Sequence, residues 1–151
     1  MRAVIQRVKS ASVDIEGVTN GSIEAGLLVY LGIDQSDTDS DLDWLVRKVP
    51  SIRCFEDNAG KMNLSLIDTQ GDLLVISQFT LFGNLRKGTR PSFNGSAAPE
   101  IAIPLYESFI KKSQDVVQGK VASGIFGADM KVSSINNGPV TLILDTQNKT
   151  F

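Results

Sequence analysis

The run Gly26–Ile33, GLLVYLGI, carries no charged side chain and no alternation of polar and apolar positions. A strand with one wet face would alternate, so this run reads as a strand buried on both faces. It is far too short to cross a bilayer. The run Asp72–Phe82, DLLVISQFTLF, is the strongest strand pattern in the chain. RAVIQRV (2–8) and ASVDIEG (11–17) also read as strands, and Asn20-Gly21 is a hairpin-turn dipeptide. IRCFED (52–57) and KMNLSLID (61–68) suggest a second hairpin with its turn at Asp57–Gly60. MKVSSIN (130–136) and VTLILD (140–145) read as two closing strands around NNGP.

Two segments have helical spacing. Leu42, Leu45, Val46 and Val49 recur at helical intervals from about Ser40, and Pro50 closes the pattern. Pro99 can open a second helix with Ile101, Leu105 and Phe109 on one face. Pro104 lies inside it, which predicts a kink or a later start. Many strands with two main helices predict a single α+β domain with mixed or antiparallel, barrel-like sheets. No internal repeat, low-complexity segment or linker divides the chain. The expected domain is 1–145, with 146–151, TQNKTF, as a flexible tail.

The composition is that of an ordinary soluble globular chain: 151 residues, 42% hydrophobic and 21% charged. A net charge of −2 supplies no general attraction to nucleic acid or anionic membrane, so any such binding must come from a local patch. The single cysteine, Cys54, cannot form an internal disulfide, and MRAVIQRVKS is too polar for a secretory h-region. Both point to the cytoplasm. Asn-x-Ser/Thr triplets at Asn63, Asn94 and Asn148 are then chance matches.

Several motifs dissolve on inspection. DQSDTDSDLDWL aligns with a calcium loop on Asp37, Asp39 and Asp41, but Leu42 replaces the required Gly and Lys48 the bidentate Glu. An acidic helix N-terminus explains it better. GNLRKGT (83–89) has phosphate-loop glycine spacing, yet Thr89 stands where lysine belongs. That segment still gathers Arg86, Lys87 and Arg90 next to Phe93, either a phosphate-binding cluster or a solvated loop. No histidine is present, and one thiol without a carboxylate cluster offers no frame for a metal.

Three further stretches carry polar or glycine residues in apolar surroundings. In SQFTL, strand alternation puts Ser77, Phe79 and Leu81 on one face and Gln78 and Thr80 on the other. Thr80 as a nucleophile would need a neighbouring base. NNGPV (136–140) reads as a turn, and a cis Gly138–Pro139 bond is uncommon, about 5–6% of X–Pro bonds. GIFGADM (124–130) is either a loop with close backbone packing or a surface that a ligand approaches closely.

In order along the chain, GKMNLS, SQFTLF, KGTRPSF, LYESF, GIFGADM and NNGPVT resemble the D-aminoacyl-tRNA deacylase family, as do MRAVIQRV and GLLVYLGI. The likeness runs to about Asp145, with SQFTL and NNGPVT as its specific signatures. It implies a metal-free and cofactor-free hydrolase that cleaves the ester of D-aminoacyl-tRNA, and also glycyl-tRNA. It implies a homodimer with sites at the interface, in which a cis Gly138-Pro139 enters the partner's pocket and excludes L side chains. Ser77, Gln78, Phe79 and Thr80 would form the catalytic wall, largely through backbone donors, with the tRNA 2′-OH assisting. Asn136, Arg7, Met130 and Phe126 would serve substrate binding and chiral selection. Arg7 would hold the Gly-Pro loop, and Met130 would pack on the substrate adenine or on the core. Lys61, Arg86, Lys87 and Arg90 would meet tRNA phosphates. Asn137 stands where the family often has an acidic residue, which alters loop charge more than Gly-Pro geometry. Two alternatives stand beside this: an aminoacyl-tRNA-binding module without turnover, and an esterase with Thr80 as nucleophile.

Overall fold

The computed structural model describes residues 1–149. In chain order these form β1 (Arg2–Ile15), β2 (Val18–Ile23), β3 (Gly26–Gly32), α1 (Asp39–Lys48), β4 (Phe55–Glu56) and β5 (Met62–Leu64). There follow α2 (Leu66–Thr69), β6 (Asp72–Ser77), α3 (Pro99–Val116), β7 (Val121–Ser123) and β8 (Met130–Asp145). Short 3-10 segments occupy Val49–Ser51 and Phe79–Phe82. The main sheet runs β2-β1-β3-β6-β7, with β8 along the other edge of β1. β3 pairs with β6 in parallel from Gly26↔Asp72 to Leu31↔Ser77, and β6 pairs with β7 in parallel.

The sheet curls almost closed because β2 comes up against β7. Asn20 Nδ2 donates to Ser123 O at 2.9 Å, and a Cβ on Gly21 would lie 2.9 Å from the same oxygen. Two cores result. Leu27, Val29 and Leu31 of β3 pack with Leu73 and Val75 under α1 and α3. Leu28 joins Val8, Val13, Leu74 and Ile76 inside the curl. The unbroken apolar run of β3 thus has cover on both faces, as its pattern predicts.

α1 bears out its spacing: Leu42, Leu45 and Val46 are buried. The acidic stretch before it is a helix start. Thr38 caps α1, its N–H and hydroxyl bonding Asp41 Oδ2 at 3.0 and 2.9 Å. Asp37 is buried and pairs with the Met1 ammonium group.

Elsewhere local patterns mislead. The first hairpin turns at Glu16-Gly17, both with positive φ (51° and 79°), while Asn20 and Gly21 lie within β2. Gly21 is needed for close approach to β7 rather than for a turn. RAVIQRV and ASVDIEG form one strand, because β8 supports β1 over its whole length, with register shifts around Val8. KMNLSLID does begin as the second arm of a hairpin, but Ser65 and Asp68 form a capping box that starts α2. α3 begins at Pro99 and continues through Pro104. Its inward face is Ala102, Tyr106, Phe109 and Ser113, whereas Ile101 is exposed. Of the expected tail, Thr146 is buried and its N–H donates to Met1 O at 2.9 Å. Lys149 Nζ sits 5.4 Å over the Trp44 ring. Residues 150 and 151 lie outside the described residues. Among the described residues, no helix is long and apolar enough to cross a membrane.

Candidate functional site

The strand reading of SQFTL ends early. β6 stops at Ser77, where Gln78 N makes the last bond to β3, donating to Leu31 O at 2.8 Å. On its other side the β7 ladder finishes with Gly124 N donating to Val75 O at 3.1 Å. With no neighbour left on either side, the chain coils into the 3-10 segment Phe79–Phe82, and the strand alternation predicted for 77–81 is lost. The amides of Phe79 and Thr80 head this turn, and among the described residues neither has an acceptor. Thr80 is exposed, and its hydroxyl accepts from Gln78 Nε2. Among the described residues no carboxylate, lysine or thiol bonds that hydroxyl.

This turn walls a cavity of about 230 Å³. Ile76, Ser77, Gln78 and Phe79 form one side; Gly127, Ala128, Met130 and Val132 form the other. No lining side chain titrates near neutrality. A smaller cavity of about 60 Å³ adjoins through Ser77–Phe79 and Gly127 and includes Phe126. Both glycines of GIFGADM have a role. A Cβ on Gly124 would strike Met130 Sδ, so it permits close packing, and Gly127, at φ 76°, lines the pocket. Tyr106 braces the two walls from behind. Its hydroxyl donates to Val75 O at 2.9 Å and approaches Gly124 O at 3.4 Å. Burial pushes its pKa up to about 12, so it stays protonated.

NNGP does not reverse the chain. Gln6 pairs with Thr141 and Val8 with Asn136, so residues 137–140 bulge out of β8 opposite Arg7 alone. The Gly138–Pro139 bond is cis, and both residues are exposed. The bulge is held at both ends. Buried Arg7 donates from Nε to Asn137 O at 2.9 Å and from Nη1 to Cys54 O at 2.7 Å, with Glu56 3.6 Å from Nη2. Asn136 Oδ1 accepts from Val140 N at 3.0 Å, while its Nδ2 donates to Thr141 Oγ1 at 3.0 Å. Asn136 therefore closes the neck of the loop through its side chain. Neither Gly138 nor Pro139 lines the 230 Å³ cavity of its own chain.

Arg86, Lys87 and Arg90 come together with Asn84 and Ser92 around a third cavity of about 240 Å³. Lys61, on the β4–β5 hairpin, is not among its lining residues. The one contact that sequence reasoning missed here is Phe93, which meets Phe79 edge-on with ring centroids 5.1 Å apart. Its position beside the basic run was the only local signal. Among the described residues no group of three or more His, Cys, Asp or Glu side chains could hold a metal ion.

The model of the D-Tyr-tRNA(Tyr) deacylase family matches residues 4–145. A D-aminoacyl-tRNA deacylase of Thermosipho melanesiensis is 54% identical over 147 residues, 97% of this chain and 98% of the relative. One from Cytophaga hutchinsonii is 55% identical over 149 residues, 99% of each. Among solved structures, the c-Myc DNA unwinding element binding protein superposes with a TM-score of 0.90 at 39% identity, over 96% of this chain and 98% of the other. A probable eukaryotic D-amino acid tRNA deacylase shares the fold, with a TM-score of 0.80 at 20% identity over 95% and 97% of the two chains. The chain belongs to the D-Tyr-tRNA(Tyr) deacylase family.

Proposed function

We propose that this hydrolase cleaves the ester between a D-amino acid and the 3′ end of tRNA, using backbone donors and the RNA's own 2′-hydroxyl. The observation that carries this mechanism is the wall at the end of β6. The free amides of Phe79 and Thr80 head the turn that lines a cavity without a titrating side chain. Such amides can stabilise the oxyanion formed when the ester carbonyl is attacked, each contributing about 10²–10³ in rate. An ester is already activated relative to an amide, so no strong base is required. The 2′-hydroxyl next to the ester then assists proton transfer with water. Thr80 carries no base that would make it a nucleophile, which disfavours the esterase alternative.

Chirality is read by exclusion. Gly138-Pro139 enters the pocket of a second copy, where Asn136 and Arg7 hold the bulge rigid and its backbone occupies the space an L side chain needs. A D side chain points away, and glycine has none, so glycyl-tRNA is also cleaved. Two features support a homodimer. The Gly-Pro bulge stands exposed away from its own pocket, and β8 has a free edge that leaves Ile135 and Ile143 uncovered. Met130 takes the terminal adenine, Phe126 serves substrate binding from the adjoining cavity, and Lys61, Arg86, Lys87 and Arg90 take tRNA phosphates in the cytoplasm.

The test pairs D-tyrosyl-tRNA and L-tyrosyl-tRNA, each ending in adenosine or in 2′-deoxyadenosine. The D ester of normal tRNA is hydrolysed and the L ester spared, and hydrolysis collapses on the deoxy substrate while binding survives. Full activity on the deoxy ester, lost in Thr80→Ala, would replace this mechanism with the nucleophilic one. Binding without turnover of any ester would leave the non-catalytic module.

A further inference from the structure

The basic cavity and the ester pocket are joined by a rigid aromatic link. The stem of the basic loop is fixed by paired bonds between Asn84 and Ser92, at 2.8 and 3.0 Å. Phe93, the next residue, packs its ring against Phe79, which lines the ester pocket. Ser96 Oγ donates to Phe79 O at 2.8 Å and ties the same stem to the 3-10 turn. A Cβ on Gly83 would lie 3.2 Å from the Phe93 ring, so the ring is also held from behind. Phe79 stays 55% exposed. Among the described residues no carboxylate pairs with Arg86, Lys87 or Arg90. In a chain of net charge −2, three unpaired cations around one cavity are a local attraction for anions.

We infer that this link and cavity form a second subsite, which holds the single-stranded nucleotides immediately upstream of the terminal adenosine, with a base on the Phe79–Phe93 pair and a phosphate among Arg86, Lys87 and Arg90. The inference rests on the proposed cleavage of an RNA-borne ester. A substrate anchored in the ester pocket by its last nucleoside must lead the rest of its chain out past one rim. The rim that offers both a stacking face and unpaired cations fits single-stranded RNA, because such a strand presents bases and phosphates in alternation. A purely acidic peptide would use the cations and leave the exposed ring idle.

The subsite is read as the ratio of kcat/KM on D-tyrosyl-tRNA to that on the D-tyrosyl ester of adenosine, which lacks the upstream nucleotides. Wild type shows a large ratio that falls with salt. The combined Arg86→Gln, Lys87→Gln and Arg90→Gln variant lowers the ratio by about tenfold or more and flattens its log–log salt slope by about 2. Phe93→Ala, which leaves the pocket-lining Phe79 in place, lowers it about tenfold. A ratio unchanged in both variants overturns the subsite. Should wild type cleave neither ester, the proposed reaction fails, and the subsite is then judged by fluorescence anisotropy on a labelled ACCA oligonucleotide. Weaker binding in both variants upholds it. Equal binding, or competition by an oligo-aspartate peptide as strong as by RNA, overturns it.

Discussion

Arg7 shows how much one side chain can determine. It is 5% exposed, yet its guanidinium reaches Asn137 O, Cys54 O and the Glu56 carboxylate at once. Only a planar fork with several donors spans partners on β8, on the segment before β4 and on β4 itself. Lysine keeps the charge and loses the fork. Arg7→Lys should destabilise the fold by about 1–3 kcal/mol, since buried carbonyls lose their donor. The ratio of D-ester to L-ester hydrolysis should fall with it, because Asn137 O is one end of the Gly-Pro bulge. Denaturant unfolding and paired ester assays check both; an unchanged ratio would leave Arg7 a purely structural residue. Gly138 is constrained from the same side. At φ 130° it adopts a conformation open mainly to glycine, and a Cβ there would lie 2.8 Å from Arg7 Nη2. Sequence reading placed Arg7 near this loop only through family likeness, since an arginine between Gln6 and Val8 looks like any exposed strand residue. Its burial depends on which strand lies opposite, and no local pattern encodes that.

At the scale of elements, α3 holds the two walls of the 230 Å³ cavity at a set separation. Tyr106 bonds the carbonyl ends of β6 and β7, and Phe126, beyond β7, stacks at a tilt on its ring with centroids 6.0 Å apart. The raised pKa has a consequence for stability. The unfolded tyrosine ionises near 10 and the folded one near 12, so its contribution is intact below pH 10 and is lost as pH rises towards 12. At pH 11 the loss is on the order of 1 kcal/mol. Tyr106→Phe should be less stable at pH 8 by about 1 kcal/mol, for the missing hydrogen bond, but should lack this alkaline decline. Urea unfolding at pH 8 and 11 measures both; parallel declines in the two proteins would mean that other groups cause it. The helix itself was legible from Pro99 onward, but its inward face was set one position away from Ile101. Apolar spacing along 101–109 suits either face, and contact with the sheet chose the one bearing Tyr106.

At the scale of the whole molecule, β8 keeps one long edge unpaired among the described residues. β8 pairs with β1 along one side only, and it exposes Ile135 and Ile143, 57% and 41% accessible. Natural sheets cover or charge such edges. If a second copy covers it, Ile143→Glu should weaken self-association by at least about tenfold, since it buries a charge at the contact. D-ester hydrolysis should fall in step with the dimer fraction and recover at high protein concentration. Sedimentation equilibrium alongside activity tests this, and a fully active monomer would refute the shared site.

From sequence alone, periodicity determined β3 and α1. A continuous apolar run demanded the doubly covered β3, and spaced leucines demanded α1, because burial follows the local repeat. Likeness in SQFTL and NNGPVT pointed to the chemistry. Only the tertiary structure decided where β6 stops, because a strand ends where its neighbours end, and that end turns SQFTL into a cavity wall. It alone converted the apparent turn at NNGP into a bulge opposite Arg7, since β8 continues along β1 on either side. It also joined Phe79 to Phe93 and the basic loop, for contacts between distant segments depend on how the sheet curls and leave no periodic trace in the chain.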